Sequence, residues 1–93
     1  MTSDTRTAKN LTVQQAETCV IAMEEMAELT QVLSKCIRFG VDHDKRDQMT
    51  QEIGDVSLLI KLLTNTFGIS YDSVRHAMDN KQRKLTKWSK LYE

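Results

Sequence analysis

Residues 13–40 read VQQAETCVIAMEEMAELTQVLSKCIRFG, a run with no proline and no glycine before Gly40. Ala, Leu, Met, Glu and Gln dominate it, and these residues lose little rotamer freedom in a helix. Just ahead of it, Leu11, Thr12 and Gln15 form a capping-box signal with an apolar residue before the cap. The stretch therefore reads as one long helix from Thr12 to Phe39, stopped by Gly40.

The same punctuation divides the rest of the chain. Val41 to Arg46 reads as a charged, solvated connection, after which Asp44 or Asp47 is expected to cap a second helix running to Phe67 and closed by Gly68. Ser70 caps a third helix, expected from about Tyr71 to Leu91, with Ile69 placed to staple against Val74. Residues 1–10 are polar and aperiodic and are expected to form a flexible tail, leaving residues 11–93 as a single helical domain. Zero Pro and three Gly in 93 residues fit an all-α fold, and 40% hydrophobic with 28% charged residues fits a soluble globular chain. Apolar residues spread over wide arcs of the first two helices. The expected architecture is thus a helical bundle of three main helices per chain, completed by oligomerisation into a homodimer or homotetramer.

Composition also excludes several classes. Cys19 and Cys36 are 17 positions apart on one helix, about 25 Å at 1.5 Å per residue, so they do not bridge within the chain. With no signal-peptide pattern and no apolar run near 18 residues, a cytoplasmic setting without a membrane partner is expected. Net charge is zero, which argues against a nucleic-acid partner, although residues 71–93 carry 6 basic and 3 acidic groups.

Two acid pairs break the amphipathic pattern. At about 100° per residue, Glu25 and Glu28 fall within the apolar stripe of Ile21, Leu29, Val32 and Cys36, whereas Glu17, Glu24 and Gln31 lie toward the polar side. On the second helix Glu52 and Asp55 share the side of Val56, Leu59, Leu63 and Phe67, opposite Lys61 and Asn65. Four carboxylates converging on a core side repel one another and lose hydration, so a cation must neutralise them. An all-oxygen set suits Mg²⁺ or Mn²⁺, with open positions for water and phosphate; zinc would favour His or Cys, and His43 and His76 fall outside the pattern. The loop Asp42-His43-Asp44 lacks the glycine and later ligands of a calcium-binding loop.

Glu24-Glu25-Met26-Ala27-Glu28, followed after 23 residues by Glu52-Ile53-Gly54-Asp55, resembles the E-E-x-x-E and E-x-x-D signature of the MazG-type all-α NTP pyrophosphohydrolases. Ser34-Lys35-Cys36-Ile37-Arg38-Phe39-Gly40 and Gly54-Asp55-Val56-Ser57-Leu58-Leu59 also look like the small stand-alone members, many of them phage-encoded, which would place the chain in a host cytoplasm. The likeness covers about residues 12–90. It implies Mg²⁺ or Mn²⁺ on Glu25, Glu28, Glu52 and Asp55, attack at the α-phosphorus of a (d)NTP, and release of (d)NMP and pyrophosphate. It further implies that Lys and Asn residues of the last helix contact the nucleotide. The chain lacks the additional N-terminal helix of longer members, which leaves its nucleobase pocket undefined.

Metal-assisted phosphoryl chemistry needs no protein nucleophile, and a carboxylate not consumed by metal can orient or deprotonate the attacking water. Glu24 and Glu28 are the candidates for that role. On the third helix Val74, Met78, Leu85 and Trp88 form an apolar stripe with Lys81 in its middle. Lys81 is expected to reach toward the carboxylates or the triphosphate, helped by Asn80, Arg83 and Lys84, while Lys35 and Arg38 can hold phosphates from the end of the first helix. Trp88, Met23, Met26 and Leu33 read as core or subunit interface, and Cys36 as a small core residue. A phosphoribosyl-ATP pyrophosphatase shares this helical scheme and reaction type. From another class, a non-catalytic helical interaction or DNA-binding module would draw only on the basic third helix.

Overall fold

The computed structural model describes residues 10–90, so the predicted tail falls almost wholly outside the described residues. Three helices follow in order: α1 (Val13–Phe39), α2 (His43–Thr66) and α3 (Tyr71–Trp88), with no β-strand among the described residues. The all-α expectation holds.

Local chemistry sets each boundary. The Thr12 hydroxyl accepts from the Gln15 amide at 3.0 Å while Gln15 Oε1 accepts from the Thr12 amide at 2.9 Å. Gly40 ends α1 at φ 82, a left-handed value that suits glycine, and its N–H donates to the Cys36 carbonyl. Asp42 then caps α2 by accepting from the Lys45 amide at 2.8 Å. The cap is therefore neither Asp44 nor Asp47, because Asp42 stands two residues past the Gly40 stop and permits re-entry after a short turn. His43 and Asp44 accordingly open the helix rather than extend a solvated loop, and the Asp44 charge lies in the first turn, where it favours the helix dipole. At the far end Gly68 adopts φ 64 and the Ile69 N–H donates to the Thr64 carbonyl at 2.9 Å. Ser70 caps α3, accepting from the Ser73 amide at 3.0 Å. The helix ends at Trp88, and Leu91 lies outside the described residues.

α1 and α2 pack as an antiparallel hairpin. The buried and half-buried positions step by three and four: Gln15, Thr18, Ala22, Glu25, Leu29, Val32 and Cys36 against Lys45, Met49, Glu52, Val56, Leu59, Leu63 and Thr66. Such spacing is a heptad seam, narrower than the stripe of a helix in a full core. Gln15 Nε2 donates to the Thr66 carbonyl at 3.3 Å, tying the start of α1 to the end of α2 and fixing the register. Only Ala22, Val32 and Leu59 are buried among the described residues. Met26, Leu33, Ile53, Ile60 and Phe67 line one flank of the seam and remain exposed, as does Met23 on the outer face.

α3 departs from the expected three-helix bundle. It makes only marginal contact with the hairpin and buries no residue, leaving Met78 63% and Trp88 85% exposed. The core role expected of Trp88, Met23, Met26 and Leu33 is thus not met within one chain, because two helices joined by a narrow seam cannot cover wide apolar arcs. The radius of gyration, 17.1 Å, exceeds the roughly 12 Å of a compact chain of this length. No described helix is long and apolar enough to cross a membrane.

Candidate metal centre

The heptad register decides where the acids go. Glu25 occupies a seam position between Ala22 and Leu29, and Glu52 one between Met49 and Val56, so both are half-buried. Glu28 and Asp55, three residues on, turn out of the seam and are exposed. Carboxylate oxygens of Glu25, Glu52 and Asp55 lie within 4.8 Å of one another. Glu28 adjoins this group, since its carboxylate acts on both Glu25 and Glu52.

Electrostatics record the crowding. Burial pushes the Glu25 carboxyl above its ordinary 4.5, and the neighbouring Glu28, Asp55 and Glu52 push it in the same direction. Glu52 is raised by burial first, then by the charges of Glu28 and Asp55. Glu25 Oε2 and Glu52 Oε2 are shut from solvent with no hydrogen-bond partner among the described residues. The Lys45–Asp42 ion pair at 3.5 Å and the His43–Asp47 contact at 3.8 Å belong to the start of α2 and leave the cluster uncompensated.

These features fit a hard divalent cation. The donors are all oxygen, two of the carboxylates each have a buried oxygen without a hydrogen-bond partner, and three of the groups converge to within 4.8 Å. Ligands on Mg²⁺ at about 2.1 Å stand roughly 3.0 Å apart when adjacent and roughly 4.2 Å apart when opposite, so the three oxygens would draw together to share one ion. Neither histidine nor either free cysteine belongs to the converging group.

The other expected site residues fall elsewhere. Glu24 is exposed and lies outside the converging group. Lys35 is exposed, and the Arg38 guanidinium sits 5.3 Å from the Phe39 ring centroid. Asn80 accepts a hydrogen bond from Arg83, while Lys81 and Lys84 are exposed on the unpacked α3. The fold gathers the acids and leaves the α3 cations apart from them.

Sequence reading passed over one feature. A cleft of about 450 Å³, lined by Val32, Asp44, Asp47, Gln48, Gln51 and Glu52, opens beside the cluster and is acidic along its length. Its signal was the i, i+4, i+8 row Asp44, Gln48, Glu52, which became a helix face once Asp42 proved to be the cap. Comparison with protein-family models, with curated proteins and with solved structures finds no match for this chain.

Proposed function

We propose that the chain is a metal-dependent nucleoside triphosphate pyrophosphohydrolase that converts (d)NTP to (d)NMP and pyrophosphate. The convergence of Glu25, Glu52 and Asp55, with Glu28 beside them, carries this reading. It agrees with the MazG-type signature in the sequence, and an oligomer would cover the apolar flank and α3. The working form is read as a homodimer or homotetramer in the cytoplasm.

Glu25, Glu28, Glu52 and Asp55 would hold Mg²⁺ or Mn²⁺, which supplies charge neutralisation for the triphosphate and a lowered pKa for bound water. Glu25 and Glu52 sit on the seam, where helix packing limits their rotation and presets the oxygen positions. Glu28 and Asp55 are the solvent-facing pair and meet the incoming phosphates. Glu28 stands outside the three tightly grouped carboxylates, and an oxygen it leaves free of the metal would accept the proton of the attacking water. The water oxygen bonds to the α-phosphorus, the bond from that phosphorus to the bridging oxygen breaks, and pyrophosphate leaves. Cations for the phosphates would come from Lys35 and Arg38, and from Lys81 and Lys84 once α3 is brought to the cluster, with the Asn80 amide as a neutral hydrogen-bond donor. Glu24, exposed beyond the group, has the weaker part in the chemistry.

The test is a panel of NTPs and dNTPs with Mg²⁺ or Mn²⁺, products resolved by chromatography. Monophosphate and pyrophosphate are expected as first products. Orthophosphate with a diphosphate would overturn the reading, and phosphoribosyl-ATP added to the panel separates the nearest related activity.

A further inference from the structure

We propose that the groove at the start of α1 is the nucleobase subsite, and that Glu17 and Gln14 within it select bases bearing an amino group over uracil and thymine. The position of the triphosphate rests on the hydrolytic reading, whereas the choice of base depends on the groove alone.

The groove, about 630 Å³, is lined by Thr12, Val13, Gln14, Glu17, Thr18 and Ile21. That volume lies within the range of about 300–1,000 Å³ common to small-molecule sites. It opens onto the same helix face as the acids. At about 100° per residue, Gln14, Glu17, Ile21 and Lys35 all fall within about 40° of Glu28 around α1, and all five side chains are exposed. They form one row with Glu28 in its middle. Lys35, about 10 Å beyond Glu28, draws the β- and γ-phosphates to one side, which leaves the nucleoside to extend the other way. Ile21 stands about 6 Å before Glu25 along the axis and Glu17 about 12 Å before it, a reach covered by a sugar and base hung from a metal-held α-phosphate.

The lining supplies both faces and edge. Val13 and Ile21, 56% and 39% exposed, offer apolar surface to the flat of a base. The cleft at the other end of the hairpin has only Val32 as apolar lining, and Val32 is buried, so a base gains little by entering there.

Two polar side chains of the groove are free to read a base. The Thr12 hydroxyl accepts from the Gln15 amide, and the Thr18 hydroxyl donates to the Gln14 carbonyl at 2.7 Å. The side chains of Gln14 and Glu17 make no hydrogen bond or ion pair among the described residues. An ionised carboxylate only accepts, while a glutamine amide both donates and accepts. Cytosine and adenine each present an amino donor beside a ring-nitrogen acceptor, and guanine presents two N–H donors beside a carbonyl. Glu17 accepts from the donor, and the Gln14 amide donates to the neighbouring acceptor. Uracil and thymine flank one N–H with two carbonyl oxygens, so a carboxylate facing that edge meets lone pairs on both sides. The unmatched oxygens make the discrimination, as they do wherever a polar site receives the wrong partner.

The test compares dCTP with dUTP on the full chain, since these differ in the amino or oxo group at C4 and the adjoining N3. Equilibrium dialysis in Ca²⁺, where turnover is expected to be slight, reads binding; product analysis in Mg²⁺ reads kcat/KM. Both should favour dCTP by about tenfold or more. Glu17→Gln should bring the ratio close to one, because an amide can turn either a donor or an acceptor to the base. Asp47→Asn, which removes a charge from the far cleft, should leave the ratio as in the wild type. Equal handling of the two nucleotides, a Glu17→Gln variant that keeps the wild-type ratio, or an Asp47→Asn variant that loses it would overturn the proposal. Preferential binding of dCTP without pyrophosphate release refutes only the hydrolytic reading. Pyrophosphate released equally from both nucleotides refutes only the subsite, and a chain that binds neither loses both.

Discussion

Glu25 on α1 and Glu52 on α2 meet across one helix seam, each with a carboxylate oxygen closed to solvent and without a hydrogen-bond partner among the described residues. Ala22 and Leu59, which are buried, occupy the same seam, so the two acids stand where this fold otherwise places its core. Stability lost there in the metal-free chain would be recovered by a cation that filled the gap.

The first prediction concerns pH. Both carboxyls titrate above the 4.5 of an unfolded glutamate, burial being the largest cause. The folded state therefore binds protons more tightly than the unfolded one. The stability this contributes is fully present below 4.5 and is lost as pH rises through the folded-state values. Urea titrations in chelator, from acidic to neutral pH, should show the decline. Glu25→Gln or Glu52→Gln should flatten it and leave the metal-free chain more stable than wild type at neutral pH. An unchanged slope in both variants would mean that the seam acids are not strained.

A second prediction separates the acids by role. Glu28→Gln and Asp55→Asn keep side-chain shape at exposed positions and remove ligand charge. Each should cut metal-dependent pyrophosphate release by about 100-fold or more while the helical spectrum and melting curve hold. Glu24→Gln, at an exposed site outside the cluster, should retain most of the activity. A loss there as large as for Asp55 would return the water-activating role to Glu24.

The helices were legible from sequence because their boundary signals are local. Thr12 with Gln15, Gly40, Gly68 and Ser70 each act within a turn of themselves, and each stands where the pattern put it. The α2 start was misplaced because Asp42, Asp44 and Asp47 are equivalent as caps until the length of the preceding turn is known. The acid pairs were legible as interruptions of an apolar stripe. Their division into seam and flank was not, since 3.6-residue geometry blurs a seam that steps by 3.5. Placement of α3 depends on the backbone of the Phe67–Ser70 turn and on how little of the hairpin it meets. No side-chain pattern within α3 encodes either.

Gly54 supplies a third prediction. It lies inside α2, and a methyl group built on it meets nothing within 4 Å. Gly54→Ala should stabilise the chain by about 0.5–1 kcal/mol, by lowering unfolded-state freedom and raising helix propensity. Chemical denaturation at a fixed protein concentration reads this directly. Destabilisation, or a shift in oligomeric state, would identify the Gly54 face as a close contact with another chain.

The last prediction joins the cluster to stability. Four neighbouring carboxylates repel one another when empty, and cation binding relieves that repulsion as it adds coordination. Free Mg²⁺ or Mn²⁺ at about 100 times its Kd should add roughly 2.7 kcal/mol by mass action. In a domain of this size that raises the melting temperature by about 10 °C or more. Calcium should also stabilise, since its flexible oxygen coordination accepts the same donors, yet support little turnover because it holds phosphate oxygens loosely for in-line displacement. Glu52→Gln should reduce the Mg²⁺ shift far more than Glu24→Gln. Melting curves in chelator, Mg²⁺, Mn²⁺ and Ca²⁺, run alongside product analysis, make the check. A melting temperature indifferent to all three ions would remove the metal centre, and with it the reason proposed for two seam acids beside two exposed ones.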